Sequence, residues 1–280
     1  MLRRSIVSLA LAASAAAGCA GTVASEPPAT ADAATTKAPI AVAAHGPVRL
    51  FGEALGDVPL TATQRTAIEQ LATDAEARHT PVREARQELL MTLAAQVEAG
   101  AVDRAALQPK LGAVAASISA SQPADRAAFE QLHAVLTPAQ RATFVDAVQA
   151  HAQENMAAMK EQDPIKRWAA DLQLSGDQRA QLEAAIAQRV QEHKRDDRAD
   201  LRVGRHPGQE VMAAFRLDTF VLDEVAPPRD ALREVTHASG HLIGFAELAV
   251  PLLTPAQRAL AAQKIRERAA STRVEGAELL

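Results

Sequence analysis

His237 and His241 come nearest to metal chemistry in this chain. They stand four residues apart in a segment of helical pattern, so two imidazoles would share one face, as paired zinc ligands do. Glu234 lies three residues before His237, on the same side, and His193 and His206 would join only if the fold carries them there. The pair has no His-Glu-x-x-His motif and no evident third ligand, and Gly240 and Gly244 suggest close helix packing at the same place. Two readings stand: a site for zinc or another divalent metal at His237 and His241, or histidines that only pack or face water. Ser239 beside His241 lacks a fixed acid and an oxyanion hole. Without a glycine-rich phosphate loop or an obvious carboxylate pair, the chain reads as a non-enzyme that needs no cofactor.

Binding chemistry is better represented. His193, Lys194, Arg195, Arg198, Arg202, Arg205 and His206 form the densest basic stretch. Lys194, Arg198 and Arg202 recur every four residues and would share a helix face. Such a face suits transient capture of unfolded chains, because charge speeds encounter and aliphatic stems give weak, adaptable contact. The plain alternative is a solvated face, with Asp196, Asp197 and Asp200 balancing the charge. Met156 and Met159, with Phe144 and Val148, form either a plastic client-binding patch or ordinary core.

The elements that must position these residues announce themselves four times. Leu60-Thr61-Ala62-Thr63-Gln64, Leu136-Thr137-Pro138-Ala139-Gln140, Leu174-Ser175-Gly176-Asp177-Gln178 and Leu253-Thr254-Pro255-Ala256-Gln257 share one pattern, and each continues with Arg: Arg65, Arg141, Arg179 and Arg258. Thr or Ser at the N-cap accepts from the N3 backbone, and Gln at N3 reaches back to the cap N–H, satisfying two orphan donors. Pro138 and Pro255 occupy N1, where no N–H is needed. The leading Leu finds Arg rather than an apolar residue at N4, so it must pack on a neighbouring helix. The steps are 76 residues within the first pair, 79 within the second, and 114 and 117 between equivalent members. A unit of roughly 115 residues is therefore present twice.

The chain has 280 residues, 48% of them hydrophobic and mostly Ala, Leu and Val, with aromatics at only 2%. That favours helices over sandwiches or barrels and leaves few anchors for a base-stacking surface. Arg3 and Arg4, the short apolar run Ile6 to Ala17, and Ala16-Ala17-Gly18-Cys19 read as an export signal of lipoprotein type over 1–19. Cys19, the only cysteine, would carry the lipid, which excludes disulfides and cysteine-ligated zinc. Ala20 rather than Asp follows it, so the expected location is the periplasm, anchored to the outer membrane. Losing Arg3 and Arg4 takes the formal charge from −4 to −6, which argues against a nucleic-acid partner.

Residues 20–49, rich in Ala, Thr and Pro, read as a flexible tether. Residues 50–162 read as the first helical unit and 163–280 as the second, with the boundary at Asp163-Pro164. In the first unit one helix follows Thr61 and another follows Thr80-Pro81, closing at Gly100. Asp103 caps a third segment that Pro109, Gly112 and Pro123 should interrupt, and a fourth starts at Pro138. In the second, Asp230 caps a helix reaching Leu248, and Pro255 opens the last. No strand is evident.

Paired Leu-Thr-x-x-Gln motifs in an exported all-helical chain resemble the Spy/CpxP family of bacterial periplasmic stress proteins, over roughly residues 50 to 275. The resemblance implies an all-α fold of two tandem curved units, each of about four helices. Family units pair into a cradle that binds unfolded envelope proteins without ATP. Other members bind metals or regulate an envelope-stress signalling partner. Two units in one chain imply an intramolecular pseudo-dimer, since tethering raises effective concentration to roughly the millimolar range.

Overall fold

Apolar residues at three- and four-residue spacing, with few aromatics, make this chain helical almost throughout. The computed structural model describes residues 34–40, 46–161, 164–196 and 207–275. The first half supplies α1 (Gly46–Leu55), α2 (Ala62–Ala99), α3 (Arg104–Val135) and α4 (Pro138–Glu161). The second supplies α5 (Pro164–Asp171), α6 (Gly176–Asp196), α7 (Pro207–Phe215), α8 (Leu222–Val225), α9 (Ala231–Ala249), a 3-10 turn at Val250–Leu252, and α10 (Pro255–Glu275). The expected all-α class is the observed one. A single two-residue ladder departs from it, in which β1 (Thr35–Thr36) pairs antiparallel with β2 (Leu60–Thr61). An N-cap residue must be extended, and Thr61 is, at φ −68° and ψ 163°. Its backbone can therefore pair sideways while α2 begins at the next residue.

Of the 20–49 segment read as tether, residues 34–40 and 46–49 are described, and the ladder holds part of them. The described part of the segment is fastened: Ile40 is buried and its N–H donates to the Gly52 carbonyl at 3.1 Å. Gly56 lets the chain pass close by, since a Cβ there would stand 2.9 Å from the Glu53 carbonyl oxygen and 3.2 Å from Pro39. Helix α1 begins inside the same segment, with Pro47 in its first turn and Ala54 and Leu55 buried.

Two expected breaks do not occur. Helix α2 runs through Thr80-Pro81, and α3 runs through Pro109, Gly112 and Pro123. An interior proline costs about 3 kcal/mol. Burying Val82, Leu89, Leu90 and Leu93 beyond Pro81 outweighs that, at roughly 1.5–3 kcal/mol for each large apolar side chain. Side chains also serve the backbone near Pro81: the Glu76 carbonyl accepts from Thr80 Oγ1 at 3.2 Å and Arg83 Nη2 at 3.0 Å. The expected stops hold. Gly100 closes α2 at φ 92°, and Asp103 and Asp230 accept from the first-turn N–H groups of α3 and α9.

Two cores result, and both cross the chain's midpoint. The first gathers Leu55, Ile68, Leu132, Phe144 and Val148 with Phe215 of α7. The second gathers Leu89 and Leu93 of α2 and Leu107 and Leu111 of α3 with Leu172, Leu182, Ile243 and Ile265. The α2–α3 hairpin thus belongs to both, α10 packs along α2, and α7 returns to cover the first core. Between the cores the hairpin is polar, with Arg78 Nε and His79 Nε2 on the Asp125 carboxylate at 3.1 and 2.9 Å.

Phe215 is fully buried, packed 4.9 Å from Phe129 and 5.3 Å from Phe144 between ring centroids. Phe215→Ala should cost about 3–5 kcal/mol in urea unfolding. A loss below 1 kcal/mol, roughly what a surface change costs, would show that α7 is not part of the first core.

Candidate functional site

All four predicted capping boxes form. The four Gln backbone N–H groups donate to Thr61, Thr137, Ser175 and Thr254 at 3.2, 3.4, 3.2 and 3.3 Å. The cap N–H groups donate back to Gln64, Gln140, Gln178 and Gln257 Oε1 at 3.0, 2.9, 2.9 and 3.0 Å. The motif leucines Leu60, Leu136, Leu174 and Leu253 are all buried, in the cores rather than against their own helices.

The glutamines do more than cap, a role the sequence reading missed. Gln64 Nε2 donates to Gln140 Oε1 at 2.8 Å, and Gln140 Nε2 donates to Gln64 Oε1 at 2.9 Å. Each amide's second N–H reaches the backbone just ahead of the other motif: Gln64 to the Val135 carbonyl at 2.9 Å, Gln140 to the Pro59 carbonyl at 2.6 Å. Both amides are thus fully used, with two donors and two acceptor lone pairs each. The far core repeats this. Gln178 and Gln257 exchange bonds at 2.8 and 3.1 Å, and their other donors reach Leu252 at 2.7 Å and Leu172 and Gln173 at 3.3 Å. Gln173 takes a positive φ of 51° there, a left-handed turn that ends α5. The signal was available: all four motifs carry Gln where a capping box alone would accept Glu.

The motif arginines divide. Arg141 and Arg258 fold back onto the carbonyl of their own leucine, Leu136 at 3.2 Å and Leu253 at 3.3 Å. Arg141 also reaches Asp218 at 2.7 Å, and Arg258 lies over Gly100, where a Cβ would meet its guanidinium at 3.0 Å. Arg65 binds the Ala38 carbonyl at 3.0 Å, while Arg179 is exposed.

Comparison with known families bears on the first pair. Residues 53–148 match the profile of the LTXXQ motif family protein. Over this segment the chain is similar to that family. The resemblance to Spy/CpxP proteins pointed there, and both partners of the Gln64–Gln140 pair lie inside the matched LTXXQ segment. The Gln178–Gln257 pair lies beyond it with the same bonds. Neither the curated proteins nor the solved structures gave a match.

The other expected site residues are less gathered. Met156 is 58% exposed on α4, outside the core that takes Phe144 and Val148. Lys194 falls in α6, but its side chain and that of Met159, with all of Arg198, Arg202, His206 and Cys19, lie outside the described residues. His237 and His241 are exposed on α9 with ring centroids 5.6 Å apart. Glu234 is engaged with Arg229 at 3.5 Å, and no group of three metal-capable side chains occurs among the described residues. Gly244 does mark close packing, under Arg189 Nη1 at 2.8 Å from a would-be Cβ, whereas Gly240 faces open space.

Ion pairs join the two halves at Glu247 and elsewhere, and a further charge cluster at Asp125 holds α2 to α3. Glu247 on α9 takes both Arg104 of α3, at 2.8 and 2.7 Å, and Arg189 of α6, at 3.0 Å. The Arg104 hydrogen bond is the main reason its carboxyl sits below the ordinary range, against a smaller effect of burial. At Asp125 burial pushes the carboxyl up, but hydrogen bonds and charge from His79, then Ser121 and Arg78, prevail and hold it below the ordinary value.

Two predictions follow from these contacts. Gln64→Glu removes the only side chain that donates to both Gln140 and Val135, and should cost about 1–3 kcal/mol at neutral pH. Protonation restores one donor, so the deficit should shrink in mild acid; a pH-independent deficit in thermal unfolding would refute the paired-amide account. Because Asp125 is depressed when folded, its contribution is full above the ordinary carboxylate range and lost as pH falls through the folded value. Asp125→Asn should therefore flatten the acid limb of the stability curve and lower the plateau at neutral pH.

Proposed function

We propose that this protein is an ATP-independent holdase of the Spy/CpxP type, an exported and non-enzymatic protein that binds unfolded envelope proteins. The observation that carries the reading is the doubled glutamine clamp. The pair lying within the LTXXQ segment recurs 114 and 117 residues later, giving one chain two ends of the same construction. We propose that these stand for the two units of a pseudo-dimer. The covering surface fits weak, repeated contact: Met91, Met156, Val190, Leu217, Val221 and Leu232 are exposed, on four helices and the α7–α8 connection. Dispersed apolar side chains of this kind suit many shallow contacts rather than one deep pocket. Lys194, Arg198 and Arg202 would add charge attraction for clients. Lipidation at Cys19 would hold the chain on the periplasmic face of the outer membrane.

A second reading rests on the His237–His241 pair, whose rings meet edge to face with centroids 5.6 Å apart. Two ligands on one helix face, with water completing the shell, describe a low-affinity metal buffer or sensor.

An aggregation assay separates the two. A chemically unfolded client diluted into buffer without nucleotide should scatter less light as the protein is added, and Leu217→Ser with Val221→Ser should weaken that effect without changing thermal stability. Undiminished aggregation at a molar excess of protein would reject the holdase. Calorimetric titration with zinc tests the metal reading, which fails if His237→Ala with His241→Ala gives the same heats as the parent.

A further inference from the structure

The segment 215–223 repeats itself. Phe215-Arg216-Leu217-Asp218 and Phe220-Val221-Leu222-Asp223 share one pattern, Phe-x-Leu-Asp, five positions apart. It runs from the last residue of α7 through the connection into α8, and it lies against α3 and α4 of the first half. Both rings enter the first core. Phe215 packs 4.9 Å from Phe129 and 5.1 Å from His133, and Phe220 packs 5.6 and 5.2 Å from the same two rings. Both carboxylates meet an arginine. Asp218 accepts from Arg141 Nη2 at 2.7 Å, and Asp223 accepts from Arg126 Nε at 2.6 Å.

The backbone of the segment is held as well. His133 Nε2 donates to the Leu217 carbonyl at 2.8 Å, the Leu222 N–H donates to Glu130 Oε1 at 2.8 Å, and Arg126 Nη2 donates to the Ala226 carbonyl at 2.5 Å. Arg126, Phe129, Glu130 and His133 stand three and four residues apart, so one face of α3 makes nearly all of these contacts. A piece of core would need only its phenylalanines. Here side chains fix backbone groups, rings receive rings and cations receive acids, which is how a groove takes a peptide. Exposure divides the two sides. The side chains of Arg126 and Arg141 are 17% and 7% exposed, whereas those of Asp223 and Asp218 are 70% and 86% exposed. The receiving groups are built into the frame, and the received acids lie at the surface.

We propose that this face of α3 and α4 is a docking groove for polypeptide segments of the form Phe-x-x-Asp-x-Phe-x-x-Asp, and that residues 215–223 are its built-in occupant. The fixed arginines select acids, because an apolar segment would leave both cations without a partner. The exposed ion pairs hold the occupant weakly and are screened by salt, so the rings supply most of the grip. An incoming segment with the same four side chains replaces it contact for contact. The tether gives the built-in segment an effective concentration of roughly millimolar, which sets the threshold a competitor must exceed. The groove goes beyond the holdase reading, which rests on dispersed exposed side chains.

Fluorescence anisotropy with a labelled peptide copying residues 212–226 tests the groove on the full-length chain. Phe215→Ala with Phe220→Ala frees the two ring positions, and this variant should bind the peptide saturably. The parent should bind it at least about tenfold more weakly, because its own segment competes. Replacing both peptide aspartates by Asn should weaken binding about fivefold at low salt, and salt at about 1 M should remove the difference. Arg126→Gln, added to the variant, should make the second peptide Asp indifferent while the first still matters, a pairing that apolar packing alone does not produce. If the alanine variant does not fold, Asp218→Asn with Asp223→Asn keeps both rings in the chain. That variant should bind the peptide more tightly than the parent and exchange its amide hydrogens over 216–226 faster. No saturable binding to either variant, or equal binding of a scrambled peptide, overturns the proposal. Dimerisation of the parent without peptide binding to the variants gives the groove to a second copy and overturns it too. No aggregating client is present in these titrations, so the groove and the holdase reading can each fail alone.

Discussion

A primary amide can give two hydrogen bonds and take two, and this fold uses that capacity at four glutamines. Each caps its own helix with one acceptor site and grips a partner with everything else. The helix starts so joined are 76 and 79 residues apart in sequence, so the same side chain that begins a helix also decides which other helix it begins beside. A carboxylate would cap equally well but has no N–H to give, and two facing carboxylates would repel. The requirement for Gln follows from the pairing, whereas the requirement for Thr or Ser follows from the cap. Gln140 is nearly inaccessible to water, which raises both the strength of these bonds and the penalty for breaking any of them.

Around the two clamps the chain is woven rather than divided. A cut at residue 162 separates the motif pairs but not the cores. Leu89, Leu93, Leu107 and Leu111 of the first half finish the second core, and Phe215 of the second half finishes the first. Five of the six phenylalanines, Phe51, Phe129, Phe144, Phe215 and Phe220, meet around the first core, so a chain with little aromatic content concentrates it at one place. The second core is built chiefly of Leu, Ala, Val and Ile. Between them the α2–α3 hairpin carries Pro81 and Pro123 and is held by Arg78, His79 and Asp125 rather than by apolar packing. The motif pairs are thus joined by paired amides, and the stretch between the cores by charge.

Local chemistry was legible from residues alone. Periodicity gave the all-α class, and the capping boxes, Gly100, Asp103 and Asp230 fixed where helices start and stop, because each such signal is complete within about four residues. The burial of the motif leucines followed from Arg at N4. The prolines misled for the opposite reason. Whether a helix survives Pro81 or Pro123 depends on how much apolar surface lies buried on either side, and that surface is supplied by distant segments. Helix α1 and the fastening of Thr35 to Ile40 were invisible likewise, since an Ala-, Thr- and Pro-rich stretch orders only where another element offers it a groove and a free backbone edge.

The sequence by itself determined that two pairs of helix starts exist and that they are chemically alike. Only the tertiary structure decided that paired starts grip each other and that the hairpin spans both cores. Caps are contacts between near neighbours, which a linear pattern records. Amide pairing and shared cores join residues tens of positions apart, and their existence depends on which surfaces meet once the helices have packed.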